Sequence, residues 1–415
     1  MMFKEFLIYL SSYLGLFAIC FYFLGFYSKR NEIPPKIIER NFPKVSIIIP
    51  AFNEEKGIAG TLKSALEIDY PKDKLQIIVV DDGSSDKTYE IASKFRSKQV
   101  QVFKNKKNMG KGASMNFGIS KSKADIIVTM DADNIIVGKD ILKIMISNFT
   151  DPSVMCVAPT TAIYKPKGVL QRVQQVEYLL GVFLRRAFSS MNSIHITSGA
   201  FSVYRKSFFD ENGGFSTVAI TEDMEMALRI QCKGYRIVND LRAIAFTVAP
   251  NKFVSLLKQR RRWYTGLLRC LLDYKRLFSR KYGAMGVIVL PVALITILFS
   301  IILTSYMIIS TLWNIHKEIE LLNSINFNFS NIFEFNSFMF EKLFYSIATS
   351  PISYFFVVFL LILVCYMVFA KRYVKEYSSI RLSLFFFMIL YSFLFAFWWL
   401  VSIFYFLLHK KVVWR

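Results

Sequence analysis

Histidine is scarce in this sequence: His195, His316 and His409 are the only three, widely separated in a chain of 415 residues. Their dispersion argues against a histidine-based triad or metal cluster. The five cysteines, Cys20, Cys156, Cys232, Cys270 and Cys365, show no paired spacing, so neither a disulfide framework nor a zinc site is indicated. Acidic residues number 30 against 52 basic ones, a formal charge of +22. A chain this basic meets anionic lipid, nucleic acid or an anionic small molecule. Internal repeats and low-complexity tracts are absent. What is abundant is apolar: 54% of residues are hydrophobic and 41 are Phe. That is too apolar for an ordinary soluble protein, so part of the chain belongs in lipid, and lipid headgroups rank first among the anionic partners.

Residues 6 to 27 carry no charge and reach the length of about 20 residues that a membrane-spanning helix needs. No small-residue cleavage site follows, so the run reads as a retained anchor. Lys29, Arg30, Lys36 and Arg40 lie beyond it, and the positive-inside bias puts residue 28 onward in the cytoplasm. Pro34-Pro35 marks a stiff linker. Near the other end, spans are expected around 284 to 312, 350 to 370 and 383 to 408. The loop from Trp313 to Ser350, with Lys317 and Lys342 against Glu318, Glu320, Glu334 and Glu341, suits the outside; Lys371, Arg372, Lys375, Glu376 and Arg381 suit the inside. Four spans put both termini outside, which leaves Lys410, Lys411 and Arg415 against the charge rule.

Between these regions short runs alternate: Val45 to Ile49, Ile58 to Leu66, Leu75 to Val80, a helix near Thr88 to Phe95, a strand near Val100 to Phe103, a helix near Gly112 to Ser120, and a strand from Asp125 to Met130. The alternation predicts βαβ units on a largely parallel sheet, whose ligands sit beyond the carboxyl ends of the strands. Beyond Val154 to Ala158, a helix from Val169 to Phe188 carrying Arg185 and Arg186 reads either as membrane-surface or as solvated. From Phe253 to Tyr274 apolar residues alternate with Lys258, Arg260, Arg261, Arg262 and Arg269, a pattern suited to a headgroup interface. The chain thus divides into an anchor (1–30), an α/β domain (42–250), amphipathic interface helices (251–283) and a C-terminal transmembrane region (284–415).

Four polar clusters could carry chemistry. Asp81-Asp82-Gly83 stands where a buried strand meets a Gly turn; acids are common there, but a carboxylate in that place can also accept hydrogen bonds from a nucleobase and a ribose. Asp131-Ala132-Asp133 repeats the arrangement with acids at i and i+2, which share one face of an extended chain and suit Mg2+ or Mn2+ completed by substrate phosphates. Lys111 is either a plain surface lysine or a positive charge near those phosphates. Thr221-Glu222-Asp223 opens a helical run, where acids complement the helix dipole; the functional reading makes Asp223 a base toward an attacking hydroxyl. In Gln259-Arg260-Arg261-Arg262-Trp263, positions 259, 262 and 263 share one helix face and present an amide, a guanidinium and an indole together. Arg260 and Arg261 point elsewhere and are expected to contact headgroups.

Taken with Pro50-Ala51-Phe52-Asn53-Glu54 and the Gly199 to Arg205 stretch, these clusters resemble the family 2 glycosyltransferases, specifically the membrane-embedded processive branch of cellulose, hyaluronan and poly-N-acetylglucosamine synthases. The likeness covers about residues 44 to 270, and its six motifs occur in the family's order. It implies an α/β fold of the GT-A type, a nucleotide-sugar-binding domain with a Rossmann-like mixed sheet, joined to transmembrane α-helices. It further implies an inverting hexosyltransferase. Asp223 would be the general base. Asp81, Asp82, Glu54, Lys111, Asp131, Gln259, Arg262 and Trp263 would serve the UDP-sugar donor, and Glu222, Gly199 and Trp263 the acceptor. Asp131 and Asp133 would hold Mg2+ or Mn2+. The expected partners are a UDP-sugar, a glycan or glycolipid acceptor and anionic membrane lipids, with a homo-oligomer or accessory membrane subunit to complete a channel that four spans leave thin. The location implied is the cell membrane, multi-pass, with the catalytic domain cytoplasmic. Transfer of one sugar to a lipid-linked acceptor is the competing enzyme reading. A non-catalytic tether of lipid or nucleic acid is disfavoured, because four acidic clusters would repel both.

Overall fold

A computed structural model of the chain describes residues 2–28, 33–324, 351–374 and 380–408, with isolated positions between 341 and 349. The flanking charges Lys29, Arg30, Glu334, Lys342, Lys375, Glu376, Lys410, Lys411 and Arg415, on which the expected orientation partly rests, lie outside the described residues.

The helix α1 (Met2–Ser28) precedes a sheet whose first strand, β1 (Val45–Ala51), is buried at all seven positions. Such a run, apolar on both sides, suits a strand covered by helices on both faces. Ile47 and Ile49 pack into one core and Ile48 into the other, as do Ile77 and Val79 against Ile78 and Val80 of β2 (Leu75–Asp81). One core is closed by α2 (Ile58–Leu66) and, further along, α5 (Ile141–Ile146), with α3 (Thr88–Ser93) beside them. Against the other lie α4 (Lys111–Lys121), α7 (Lys206–Asn212) and α8 (Glu222–Cys232). With β3 (Val100–Lys104), β4 (Ile126–Thr129), β5 (Asn134–Ile136), β6 (Val154–Ile163), β7 (Ser202–Arg205) and β8 (Arg236–Thr247), the sheet has the order β3-β2-β1-β4-β7-β6-β8-β5.

The sheet is mixed, not largely parallel. Pairs β1–β2, β2–β3, β1–β4 and β6–β8 are parallel, whereas β4–β7, β6–β7 and β5–β8 are antiparallel. Regular helix-strand alternation, which forces parallel crossovers, ends after β4. Beyond it, strand direction depends on which distant segments pair.

The helix α6 (Val169–Ser190) is not an ordinary solvated helix but packs between the sheet and the apolar helices. Val173, Val176, Leu179 and Val182 are buried against β6, β8 and two C-terminal helices, α11 (Pro351–Tyr373) and α12 (Ile380–Leu407). Its Phe183 stacks on Tyr366 at 4.1 Å and meets Phe26 of α1 at 5.2 Å. The helix α9 (Phe253–Asp273) lies against α8 and α12, and α10 (Leu290–Ser324) follows a π-helical turn at Met285–Val289. Helices in Phe6–Ser28, Met285–Ser324, Ser353–Tyr373 and Ile380–Leu407 are long and apolar enough to cross a membrane, which makes this a membrane protein. The third-to-last span extends further than expected. Its 40 residues reach about 60 Å, roughly twice a bilayer's hydrocarbon core, so Trp313 to Ser324 is helix rather than loop.

Candidate active site

The chemistry-bearing residues gather where β1, β2 and β4 end. Asp81 is the last residue of β2 and is fully buried. Its Oδ2 accepts from the Ser84 backbone N–H at 3.3 Å, while Oδ1, also buried, has no protein partner among the described residues. Burial pushes this carboxyl above its ordinary range, with the Ser84 bonds opposing. A buried acceptor oxygen without a donor is costly, and an N–H or O–H of a ligand would satisfy it.

The neighbouring Asp82 differs. Its Oδ1 accepts from Asn105 Nδ2 at 2.8 Å and the Met109 N–H at 3.0 Å, and its Oδ2 from the Gly110 N–H at 2.8 Å. Asp82 therefore pins the loop that delivers Lys111, the first residue of α4. Across the cleft, Asn53 takes up φ +53°, donates from its N–H to Ser84 Oγ at 2.9 Å and accepts from the Ser85 N–H at 3.0 Å. The next residue, Glu54, donates from its N–H to Thr88 Oγ1 at 2.7 Å, so the loops after β1 and β2 form one piece of backbone.

Lys111 joins two of the remaining clusters. Its Nζ lies 2.7 Å from Asp131 Oδ1 and 2.7 Å from Glu222 Oε1, with the lysine side chain 11% exposed. It is thus no surface lysine. Burial works to lower its pKa, but Asp131, Glu222 and Asp223 together raise it, so it stays charged. Gly199 faces the same pair: a Cβ there would stand 2.7 Å from Asp131 Oδ2 and 3.2 Å from Lys111 Nζ. Only glycine lets the β7 approach come this close, and its carbonyl accepts from the Asp131 N–H at 3.2 Å.

Glu222 and Asp223 open α8 behind Thr221. Burial would raise the Glu222 carboxyl, but Lys111 and Arg262 outweigh it and hold it low. Asp223 goes the other way, pushed up to about 6 by burial and by the Glu222 charge, with Lys111 and Arg262 opposing. Thr197 Oγ1 donates to the Asp223 carbonyl at 2.8 Å and in turn accepts from Tyr204 OH at 3.0 Å, which fixes the start of α8 from below. Two adjacent carboxyls with opposed shifts are what an acid–base pair requires.

Helix α9 completes the cleft. Gly266 packs directly on Thr221, where a Cβ would meet the threonine Oγ1 at 2.5 Å. One turn earlier, Arg262 acts electrostatically on Glu222 and Asp223. Gln259 Oε1 is buried without a partner among the described residues, and Trp263 is half-buried. Arg260 does not contact headgroups. It is 2% exposed, its Nη2 is 2.6 Å from Glu177 Oε2, and its guanidinium stands 4.4 Å from the Trp263 ring centre and 5.4 Å from that of Trp398. Arg261 lies 4.3 Å from the Tyr405 ring of α12. A charge run in sequence does not reveal that carboxylate and indole partners wait on other helices.

Reading the sequence missed Arg185 as a site residue. This α6 side chain donates from Nη1 to Thr161 Oγ1 at 3.1 Å and the Pro159 carbonyl at 3.3 Å, and it interacts electrostatically with Asp223. Partial burial lowers its pKa, and the sequence offered only an arginine pair, Arg185-Arg186, within a helical run.

Asp131 and Asp133 offer hard carboxylate oxygens at a strand end, and Asp131 is one-third exposed. That fits a divalent cation shared with a diphosphate. No group of three or more His, Cys, Asp or Glu among the described residues could hold an ion unaided, so the diphosphate would have to complete the shell.

A mixed α/β sheet with carboxylates at its strand ends, beside helices long and apolar enough to cross a membrane, has the GT-A arrangement. The glycosyl transferase family 2 model matches residues 46–213, so this part of the chain is a family 2 domain. A poly-beta-1,6-N-acetyl-D-glucosamine synthase of Staphylococcus aureus is 30% identical over 274 residues, which is 64% of this chain and 66% of that protein, just under two thirds of its length. The Staphylococcus epidermidis synthase of the same name is 28% identical over 263 residues, 62% and 63% of the two chains. The fold is shared with a Pyrobaculum calidifontis mannosyltransferase, solved with GDP-Man and Mn2+, at a TM-score of 0.54 and 20% identity over 77% of this chain and 95% of that one.

Proposed function

We propose that this protein transfers a sugar from a UDP-sugar to the hydroxyl of a growing β-linked polysaccharide, with inversion, from a catalytic domain on the cytoplasmic face of the cell membrane. The observation that carries it is the cluster in which Lys111 bridges Asp131 and Glu222 beside Asp223, whose carboxyl is raised to about 6. The sequence likeness to poly-beta-1,6-N-acetyl-D-glucosamine synthases supports a polymer as product and N-acetylglucosamine as the sugar.

In this reading Asp81 receives the uridine through its unpartnered Oδ1, and Asp82 acts indirectly by holding the loop of Lys111. Asp131 and Asp133 would hold Mg2+ or Mn2+, which supplies charge neutralisation for the departing diphosphate. Arg262 and Gln259 converge on the same phosphates, and Trp263 gives the acceptor sugar a flat apolar face. Asp223 is ionised at neutral pH yet basic enough to take the acceptor proton as the C–O bond forms and the bond to UDP breaks. Displacement in line needs no covalent enzyme intermediate. Arg185, near Asp223, adds positive charge on the α6 side of the cleft.

The test is to incubate the purified protein in lipid nanodiscs, with Mn2+, with radiolabelled UDP-sugars and to separate products by size. Polymer from UDP-N-acetylglucosamine is the expected result. A single labelled sugar extracted with lipid would replace this reading with transfer to a lipid-linked acceptor, and no transfer from any UDP-sugar would overturn both.

A further inference from the structure

The buried charge pair left unused by this mechanism is Arg260 with Glu177. Arg260 belongs to α9, Glu177 to α6, and the second indole against the guanidinium, Trp398, to α12. Three helices from separate parts of the sequence therefore meet on one side chain. Tyr391 of α12 hydrogen-bonds the same glutamate. Desolvating both charges is costly and seldom improves on apolar packing for stability alone, so a buried pair at such a junction is better understood as setting geometry. The group whose geometry it sets is specific. Arg260 and Trp263 are three residues apart on α9, and a guanidinium 4.4 Å from the ring centre restricts the tilt of the indole. Trp263 is also the residue offered above as the platform for the acceptor sugar, where ring orientation decides whether a pyranose can stack.

We propose that Arg260 is a positioning residue for the acceptor: anchored by Glu177 and backed by Trp398, it holds the Trp263 indole at the angle the acceptor sugar needs. The inference rests on the sugar-transfer reading. It separates Arg260 from Arg262 by task, since Arg262 acts electrostatically on Glu222 and Asp223 whereas Arg260 is held by Glu177. It also makes α12 a silent contributor to acceptor binding, through Trp398 and Tyr391.

The experiment compares wild type, Arg260→Lys and the double variant Glu177→Gln/Arg260→Gln, which removes both charges together and leaves neither stranded. Each is assayed in nanodiscs with UDP-N-acetylglucosamine and a short β-linked N-acetylglucosamine oligosaccharide, varying one while the other saturates, and thermal unfolding is followed in parallel. The double variant is expected to raise the acceptor KM about tenfold and to shorten the polymer, with the donor KM within about twofold, the scale of one lost ring–cation contact. Arg260→Lys, which keeps the charge but not the flat contact, should fall between. Equal rises in both KM values, or a fall in kcat tracking lost thermal stability with neither KM changed, would overturn the assignment and leave sugar transfer standing. Wild type that transfers nothing from the UDP-sugar would overturn the underlying reading and this inference with it.

Discussion

Asp81-Asp82 and Asp131-Asp133 look alike in sequence, each an acidic pair at the end of a strand, yet the structure gives them different work. The first pair is closed: both residues are fully buried, and Asp82 spends both oxygens on backbone and amide donors of one loop. The second is open: Asp131 is one-third exposed and reaches a lysine that it shares with Glu222. A carboxylate whose lone pairs are taken by N–H groups shapes a site. One that shares its ammonium partner with a second carboxylate and faces the cleft can exchange partners, which is what receiving a cation and a diphosphate demands.

Substitutions can sharpen or break this contrast. The largest effect is expected on the open side, where Asp223→Asn should cut transfer by about 10³-fold or more, with UDP-sugar binding retained, as measured by turnover beside equilibrium binding of the donor. Normal turnover in that variant would end its role as base. Chelation with EDTA should stop transfer and Mg2+ or Mn2+ restore it; full activity in chelator would remove Asp131 and Asp133 from any metal role. On the closed side, Asp82→Ala removes three hydrogen bonds, and denaturant unfolding should show a loss of about 1–3 kcal/mol, larger than for Asp81→Asn, whose main effect should be on the donor KM. If Asp81→Asn proves the more destabilising, the two residues have been assigned the wrong way round.

The smallest effect concerns pH. Because Asp223 must be ionised and its pKa is raised to about 6, kcat/KM should decline as pH falls through that value, instead of through the ordinary carboxylate range near 4. Glu222 contributes to the rise, so Glu222→Gln should move this acid limb to lower pH. A limb that stays put or moves upward would dissociate the two carboxyls.

Much of this was legible in the sequence, and unevenly. The parallel half of the sheet was, because Val45 to Ile49 and Leu75 to Val80 are strands too apolar to be anything but doubly covered, with helices between them. The antiparallel half was not, since the pairing of Ser202–Arg205 between β4 and β6 depends on contacts far apart in the chain. Four apolar spans could be counted from composition, although the extent of Leu290–Ser324 could not, because charged residues such as Lys317 look like a loop and continue a helix equally well. The acids and glycines now gathered around Lys111 could be nominated individually. Their convergence, and the burial of Arg260, depended on neighbours such as those contributed by α6 and α12, which no local pattern announces.

One helix carries a practical lesson for recombining such proteins. Gln259, Arg262, Trp263 and Gly266 of α9 turn toward the cleft, while Arg261 meets Tyr405, Tyr264 stacks on Trp399 at 4.3 Å with the rings 5° from parallel, and Thr265 Oγ1 donates to the Ser402 carbonyl at 3.4 Å. The rows interleave along the same two turns, so they cannot be inherited separately. A chimera that swaps the membrane portion at the start of the first C-terminal span would graft foreign side chains against Tyr264 and Thr265. A junction placed ahead of Phe253 would carry α9 and α12 across as a matched pair, and the seams to fit would then be Gly266 against Thr221 and the face of α6, where Glu177 meets Arg260 and Gln175 meets Ser383.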